Sequence, residues 1–493
     1  MLEHLIAGFA DIMTGGVLIW TALGVALGIA VGAVPGLNGP MAIAIAVPLT
    51  YYLGPLSAIA FLLGINKGGS FGGSIAAVLL NTPGSPEAAA TALDGHPLAR
   101  RGEARKALSM ALYASVFGDL LATLCLIVIA QPLAAVALRT GPAELTAILL
   151  LSFTVIGGLV GDSLAKGLAA AALGVLFAMV GQDPVLGTPR LTFGIEDLQS
   201  GIPIMAIGIG LLALSEIFMQ IRNHCFGLHA PSSPRAGTAA GPGLSWAELR
   251  GTGRTLLRSS AIGIAIGALP GIGSSIAAFL AYGAARRASR SPEAFGKGSV
   301  EGVAAPEAAN SAVVAAAMIP VVSIGVPGSV AAAILMGAFI IHGVTPGPRL
   351  FTDHATLLYA IFAAMLAASL LCLAIGQIGL RLFVGLLRIP QAIIMPVLVL
   401  LCVTGAYLAD NSLFAVGLTL FFGLLGFFMR LLAIPFVTFL IGFVLGPTLE
   451  LAVSQTMILY GGHWERLLGR PVALAILAAA VAAVVLMVRA RLR

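Results

Sequence analysis

Apolar runs of about 17 to 23 residues follow one another along the whole chain, separated by short polar connections. At about 20 residues per span, they predict roughly ten to twelve membrane-crossing or re-entrant helices. Uninterrupted segments of this kind lie at 107–130, 145–161, 167–181, 203–221, 355–387, 390–409, 413–430, 431–453 and 471–488. Ahead of them, Leu2, Leu5, Ile6, Phe9, Ile12 and Met13 recur at helical spacing, the pattern of an interfacial helix lying on the membrane.

Other apolar stretches are broken in the middle. The run from Val17 to Tyr52 is twice the length of one span and is interrupted by Val34-Pro35-Gly36-Leu37-Asn38-Gly39-Pro40. A second stretch sets Asn66, Ser70 and Ser74 on one helical face at intervals of four and ends in Asn81-Thr82-Pro83-Gly84-Ser85-Pro86. In the second half, Leu269-Pro270-Gly271 precedes Ser274 and Ser275, and the stretch 301–348 holds Glu307, Asn310 and Ser311 ahead of Gly325-Val326-Pro327-Gly328-Ser329. Helix breakers and ionisable groups at membrane depth cost free energy unless they are buried in protein or line a cavity. The broken elements are therefore expected to build a binding cavity.

The two halves can be laid over each other. Pro35-Gly36 matches Pro270-Gly271 at an offset of 235 residues, and Pro83-Gly84-Ser85 matches Pro327-Gly328-Ser329 at an offset of 244, which also places Asn66 on Asn310. Such a duplication is the usual plan of a secondary transporter, with the site where the broken helices meet. The expected organisation is a first transmembrane repeat over 1–230, a cytoplasmic linker over 231–250, a second repeat over 251–470 and a C-terminal transmembrane helix over 471–493.

Composition narrows the class. With 59% hydrophobic and 9% charged residues among 493, and a mean hydropathy of +1.05, no soluble core could hide the apolar surface. The expected fold is an all-α polytopic membrane protein. The net charge of +6 sits mostly in short loops, where it orients the chain, so nucleic-acid binding is excluded. In the first half the loop after the Pro-Gly element is neutral, and the one after the Pro-Gly-Ser element carries Arg100, Arg101, Arg105 and Lys106. In the second half the order reverses: Arg286, Arg287, Arg290 and Lys297 follow the Pro-Gly element, and 345–354 holds only Arg349 and Asp353. This predicts inverted repeats, with Arg489, Arg491 and Arg493 keeping the C-terminus in the cytoplasm. Basic flanks on both sides of 259–283 favour a hairpin that enters and leaves on the cytoplasmic side.

The chemistry fits an anion carrier. An anion needs donors without a trapped countercharge, and the hydroxyls, amides and freed backbone N–H groups of the broken elements supply them. The candidate substrate-binding residues are Gly36, Asn38, Asn66, Lys67, Ser70, Ser74, Thr82, Gly84, Ser85, Gly271, Ser274, Ser275, Asn310, Ser311, Gly328 and Ser329. Lys67 has three readings: a partner for substrate, a partner for a buried acid such as Asp119 or Glu216, or a snorkelling side chain. Asp119 and Glu216 are themselves expected to be satisfied polar groups at helix interfaces. Glu307, with Asn310, is the candidate coupling site for H⁺ or Na⁺, against the alternative that it braces a broken helix. Neither cofactor nor metal site is expected. Cys125, Cys225, Cys372 and Cys402 lack paired spacing and read as packing residues, and Gly462-His463-Trp464 reads as an interfacial anchor. The seven histidines stand singly and no hydrolase motif occurs, which argues against an enzyme; an anion channel is the other rival.

Four sets of motifs together resemble the large membrane subunit of the tripartite tricarboxylate transporter family over nearly the whole chain. They are Pro35-Gly36-Leu37-Asn38; the series from Gly72 to Pro97; the stretch from Gly267 to Tyr282; and Glu301 to Asn310 with Gly325 to Ser329 and Gly343 to Pro348. The resemblance implies a multi-pass permease of the bacterial inner membrane that works with a small membrane subunit and a periplasmic solute-binding protein. It also implies cation-driven import of a carboxylate such as citrate, and leaves open another small organic anion and a homodimer. Lys67 departs from the family's pattern, which has an aromatic or small residue in the segment from Gly64 to Gly69.

Overall fold

The computed structural model describes residues 2–14, 16–159, 163–225, 241–271, 273–387, 389, 391–461, 463, 465 and 469–492. The first half contains α1 (Leu2–Met13), α2 (Val17–Ala33), α3 (Gly39–Ala46), α4 (Pro55–Leu80), α5 (Ala88–Arg100), α6 (Ala104–Ala137), α7 (Pro142–Leu159) and α8 (Leu164–Ala178). A helix follows that begins as α9 (Ile204–Gly208), passes through a π turn at Ile209–Leu214 and ends as α10 (Ser215–Cys225). The second half holds α11 (Trp246–Gly251), α12 (Gly253–Gly267), α13 (Gly273–Ala288), α14 (Val300–Ala316), α15 (Met318–Ile324) and α16 (Val330–Ile341). It continues with α17 (Leu350–Asp353), α18 (Ala355–Leu386), α19 (Gln391–Asp410), α20 (Leu413–Leu431), α21 (Phe436–Tyr460) and α22 (Pro471–Leu492).

Among the described residues, eight helices are long and apolar enough to cross a membrane, and Gly39–Tyr52, Pro142–Gly158, Leu164–Ala178 and Val330–Ile341 are shorter apolar helices. The chain is all-α apart from a two-residue antiparallel strand pair, β1 (Gly181–Gln182) with β2 (Pro189–Arg190). The apolar segment that reads as helix to residue 181 stops at Ala178, and Gly181, at φ 123°, a conformation L-residues avoid, then starts the short strand pair. Arg190 then pins the hairpin to Glu450 (2.5 Å) and closes it internally onto Asp183 (3.1 Å). The linker positions 231–240, and Gly462 and Trp464 of the expected anchor, lie outside the described residues.

Two helices form the spine of the first half. Gly24, Gly28 and Gly32 of α2 face Gly64, Gly68 and Gly72 of α4, and a Cβ on any of the six would come within 2.6 Å of a carbonyl oxygen of the other helix. Small residues four apart let backbones touch, which is the way helices associate where lipid offers no hydrophobic incentive. In the second half α12 lies along α14, where Gly263 meets the Ala309 carbonyl. The N-terminal α1 rests on α18, Gly8 against Tyr359 and Ala360, with Ile6, Phe9 and Met13 exposed.

Positions that the sequence overlay pairs also share backbone features. Gly36 and Gly271 have φ 86° and 87°, and Asn81 and Gly325, both helix C-caps, have φ 53° and 78°. A Cβ on Gly84 would lie 3.0 Å from the Gly32 carbonyl oxygen, and one on Gly328 would lie 3.0 Å from that of Gly267. These pairs follow the same two offsets that align the sequence motifs. Around the second Pro-Gly break, α12 and α13 pack on each other as the limbs of a hairpin.

Candidate functional site

Each break restarts a helix, and the four restarts meet. A cavity of about 430 Å³ is lined by Asn38, Gly39 and Pro40 at the start of α3, and by Ser85, Pro86 and Glu87 leading into α5. It is also lined by Gly273, Ser274 and Ser275 at the start of α13, with Gly271 just before, and by Gly328, Ser329 and Val330 at the start of α16. The first turns of a helix carry N–H groups without intrahelical partners and the positive end of the macrodipole. Two of these starts are capped from within: Asn38 Oδ1 accepts from the Met41 amide (3.0 Å), and Ser329 Oγ accepts from the Ala332 amide (3.2 Å). The caps fix the entry angle of each helix and leave further amides free for a ligand.

The cavity is also lined by apolar side chains and one cation. Leu212, Phe436, Val437 and Ile441 line it together with Arg430, whose Nη1 meets Glu216 Oε2 at 2.7 Å and whose Nε donates to Ser215 Oγ at 3.1 Å. The guanidinium lies 4.4 Å from the centre of the Phe436 ring. Arg430 is absent from the sequence-derived set because it ends the apolar segment 413–430, where a basic residue reads as an interfacial flank. The available signal was Glu216: an acid inside an apolar run requires a partner. Glu87 is the acidic residue of the lining, with Ser275 Oγ 3.5 Å from its Oε2.

Of the sequence-derived residues, Asn38, Asn66, Ser70, Ser85, Gly271, Ser274, Ser275, Gly328 and Ser329 line this cavity. Gly36, Lys67, Ser74, Thr82, Gly84, Asn310 and Ser311 do not. Gly36 offers its carbonyl to Gln220 (3.4 Å), Gly84 packs beside Gly32, and Thr82 Oγ1 is buried without a partner among the described residues. Asn310 Nδ2 donates to Ser70 Oγ (3.0 Å) and Ser311 Oγ lies 3.4 Å from the same oxygen, so the two form a layer behind Ser70.

Behind that layer is a second cavity of about 10 Å³, enough for one water molecule, among α4, α6, α14 and α18. Lys67, Ser115, Asp119, Ser311, Ser369 and Cys372 line it, and Ser70 and Val314 border both cavities. The Lys67 ammonium is 2.5 Å from Asp119 Oδ2 and also donates to Ser369 Oγ (3.1 Å) and Thr123 Oγ1 (3.4 Å).

Glu307 is fully buried. Its Oε1 accepts from Ser74 (2.5 Å) and Thr91, and its Oε2 accepts from Ser115 (2.9 Å). The three hydroxyls come from α4, α5 and α6, whereas Glu307 itself stands on α14, so this cluster joins the two halves. Nearer the start of α14, Asp94 accepts from the Gly298 and Ser299 amides (2.8 Å each) and from the Tyr282 hydroxyl (2.8 Å). Among the described residues no group of three or more His, Cys, Asp or Glu could hold a metal ion, and Cys125, Cys372 and Cys402 are unpaired.

A sequence profile of the Tripartite tricarboxylate transporter TctA family matches residues 18–441, an interval that takes in all four breaks and both cavities. The chain belongs to the TctA family. An Agrobacterium vitis protein, described as an uncharacterized 52.8 kDa protein in the TAR-I ttuC' 3' region, is 34% identical over 488 residues, 99% of this chain and 96% of its own. A second A. vitis protein, described as uncharacterized in the TAR-II ttuC' 3' region, is 34% identical over 224 residues, 45% of this chain and 93% of its own. No solved structure matches the chain. Membership of the TctA family makes this a multi-span membrane protein of tricarboxylate-type transporter systems, which are assembled from several subunits.

Proposed function

We propose that this chain is the translocating subunit of a cation-coupled secondary importer for di- or tricarboxylates. It works in the bacterial inner membrane with a small membrane subunit and takes its substrate from a periplasmic solute-binding protein. The observation that carries the reading is the convergence of four helix N-termini, two from each half, on one cavity that Arg430 also lines. Oriented amides bind a carboxylate without a fixed counter-ion, so the substrate can leave as readily as it enters. Arg430, already shared with Glu216, can turn part of its fork to a second carboxylate.

Coupling follows from the acids. An anion bound beside Glu87 gains from arriving with a cation, and Glu307 with Asn310 is the proposed coupling site, linked to the cavity through Ser70 and to the first half through Ser74, Thr91 and Ser115. The reversed loop charges support repeats inserted in opposite directions, so that the four breaks meet near the bilayer midplane. A permease for another small organic anion would use the same amides, and an anion channel would conduct without saturating. Uptake of labelled citrate and monocarboxylates by proteoliposomes holding both membrane subunits, with and without binding protein and under Na⁺ or pH gradients, tests the reading. Saturable, gradient-driven, binding-protein-dependent uptake is expected; non-saturating flux would sink it.

A further inference from the structure

The second cavity already holds a positive charge supplied by the chain itself, the Lys67 ammonium. Its wall is rich in oxygen: Asp119, Ser115, Ser70, Ser311 and Ser369 line it, with Thr123 alongside. Hydroxyl and carboxylate oxygens are the ligands hard cations prefer. The Lys67 ammonium already sits on three of them, Asp119 Oδ2, Ser369 Oγ and Thr123 Oγ1. The side chains of Lys67 and Asp119 are only 2% and 7% exposed, and Asp119 Oδ1 is buried with no hydrogen-bond partner among the described residues. One carboxylate balances one positive charge, so the site suits a monovalent cation. Cys372 is the other titratable residue of the lining, and Glu307 is linked to it through Ser115.

We propose that Lys67 is a tethered cation occupying a Na⁺-type site one helical turn behind the substrate cavity, and that removing the tether opens the site to free Na⁺. The lysine and Ser70 lie three residues apart on α4, so occupancy of the cage is felt at the Ser70 oxygen that borders the substrate. Deleting the ammonium leaves Asp119 as an uncompensated buried charge, which a small monovalent ion with an oxygen shell can neutralise.

The binding claim stands on this geometry alone, whereas its effect on uptake rests on the transport reading above; two measurements keep them apart. In detergent, thermal unfolding of the purified chain is compared in NaCl and in choline chloride for wild type, Lys67→Ala and Lys67→Ala/Asp119→Asn. Na⁺ is expected to raise the midpoint of Lys67→Ala by about 2 °C more than that of wild type, and to lose this excess in the double variant. In proteoliposomes, Na⁺ should stimulate uptake by Lys67→Ala about tenfold more than uptake by wild type. A midpoint of Lys67→Ala that responds to Na⁺ no more than wild type would overturn the proposal. So would failure of Lys67→Ala to accumulate in membranes of cells grown in Na⁺ medium while the double variant accumulates normally. A midpoint shift in Lys67→Ala with no saturable uptake by either wild type or the variant would uphold the cation site and count against the transport reading.

Discussion

Glu307 on α14 accepts a hydrogen bond from Ser115 on α6 at 2.9 Å, and Ser115 in turn lines the small cavity that Lys67 and Asp119 share. The acid proposed to couple transport is thus one hydroxyl away from the tethered ammonium. Glu307→Gln keeps the size and one carbonyl acceptor but cannot exchange a proton or carry a charge. The expected outcome is normal accumulation in the membrane with uptake falling to its no-gradient level whether or not a Na⁺ or pH gradient is applied. Full gradient dependence in this variant would assign Glu307 to bracing the two halves.

Arg430 should separate substrates by charge. Losing a charge-assisted hydrogen bond costs about 1.5–3 kcal/mol, so Arg430→Met is expected to raise the KM for a tricarboxylate about 10- to 100-fold and that for a monocarboxylate far less. Arg430→Lys should recover little, since an ammonium cannot hold Glu216 and a ligand in one planar fork above Phe436. Initial uptake rates against concentration provide the check, and equal shifts for both substrates would remove Arg430 from recognition.

Opposite insertion of the repeats makes a simple labelling prediction. In a variant without the native cysteines, Arg101→Cys and Thr352→Cys should react with a membrane-impermeant maleimide from opposite faces. Reaction of both from one face would end the inverted arrangement.

The seam between α2 and α4 has no room for a side chain. Gly28→Leu would drive its Cβ into the Ile65 carbonyl and the Gly69 amide, and is expected to cost more than about 3 kcal/mol, abolishing accumulation of monodisperse protein. Gly54→Ala, where an added Cβ meets nothing within 4 Å, is the matched control and should leave yield unchanged. Size-exclusion profiles of a fluorescent fusion would distinguish them.

The breaks were legible in the sequence because proline and glycine act locally: at these motifs α2, α4, α12 and α15 end and α3, α5, α13 and α16 begin. Overlaying the Pro-Gly and Pro-Gly-Ser motifs also located the pairs that share backbone angles. Rotation about α4 was less legible. Intervals of four advance a helix by about 40° each, so the face shared by Asn66 and Ser70 has turned about 80° by Ser74, which points to Glu307 instead of the cavity. Lys67, one residue past Asn66, is turned about 100° away and meets Asp119. Arg430 escaped notice for a different reason: its role depends on α20 packing against the π turn and α10, a contact between segments more than 200 residues apart that no local pattern encodes.

At the glycine positions, carbonyl oxygens of α2 and α4 are set directly against the facing backbone, so along that seam no side chain is present to change rotamer. A surface of that kind transmits displacement without absorbing it. The pair is expected to move as a single stiff plank, with any alternation of access in the first half taken up at connections such as residues 34–38 and 81–87, where Gly36 and Asn81 already hold the backbone in left-handed conformations.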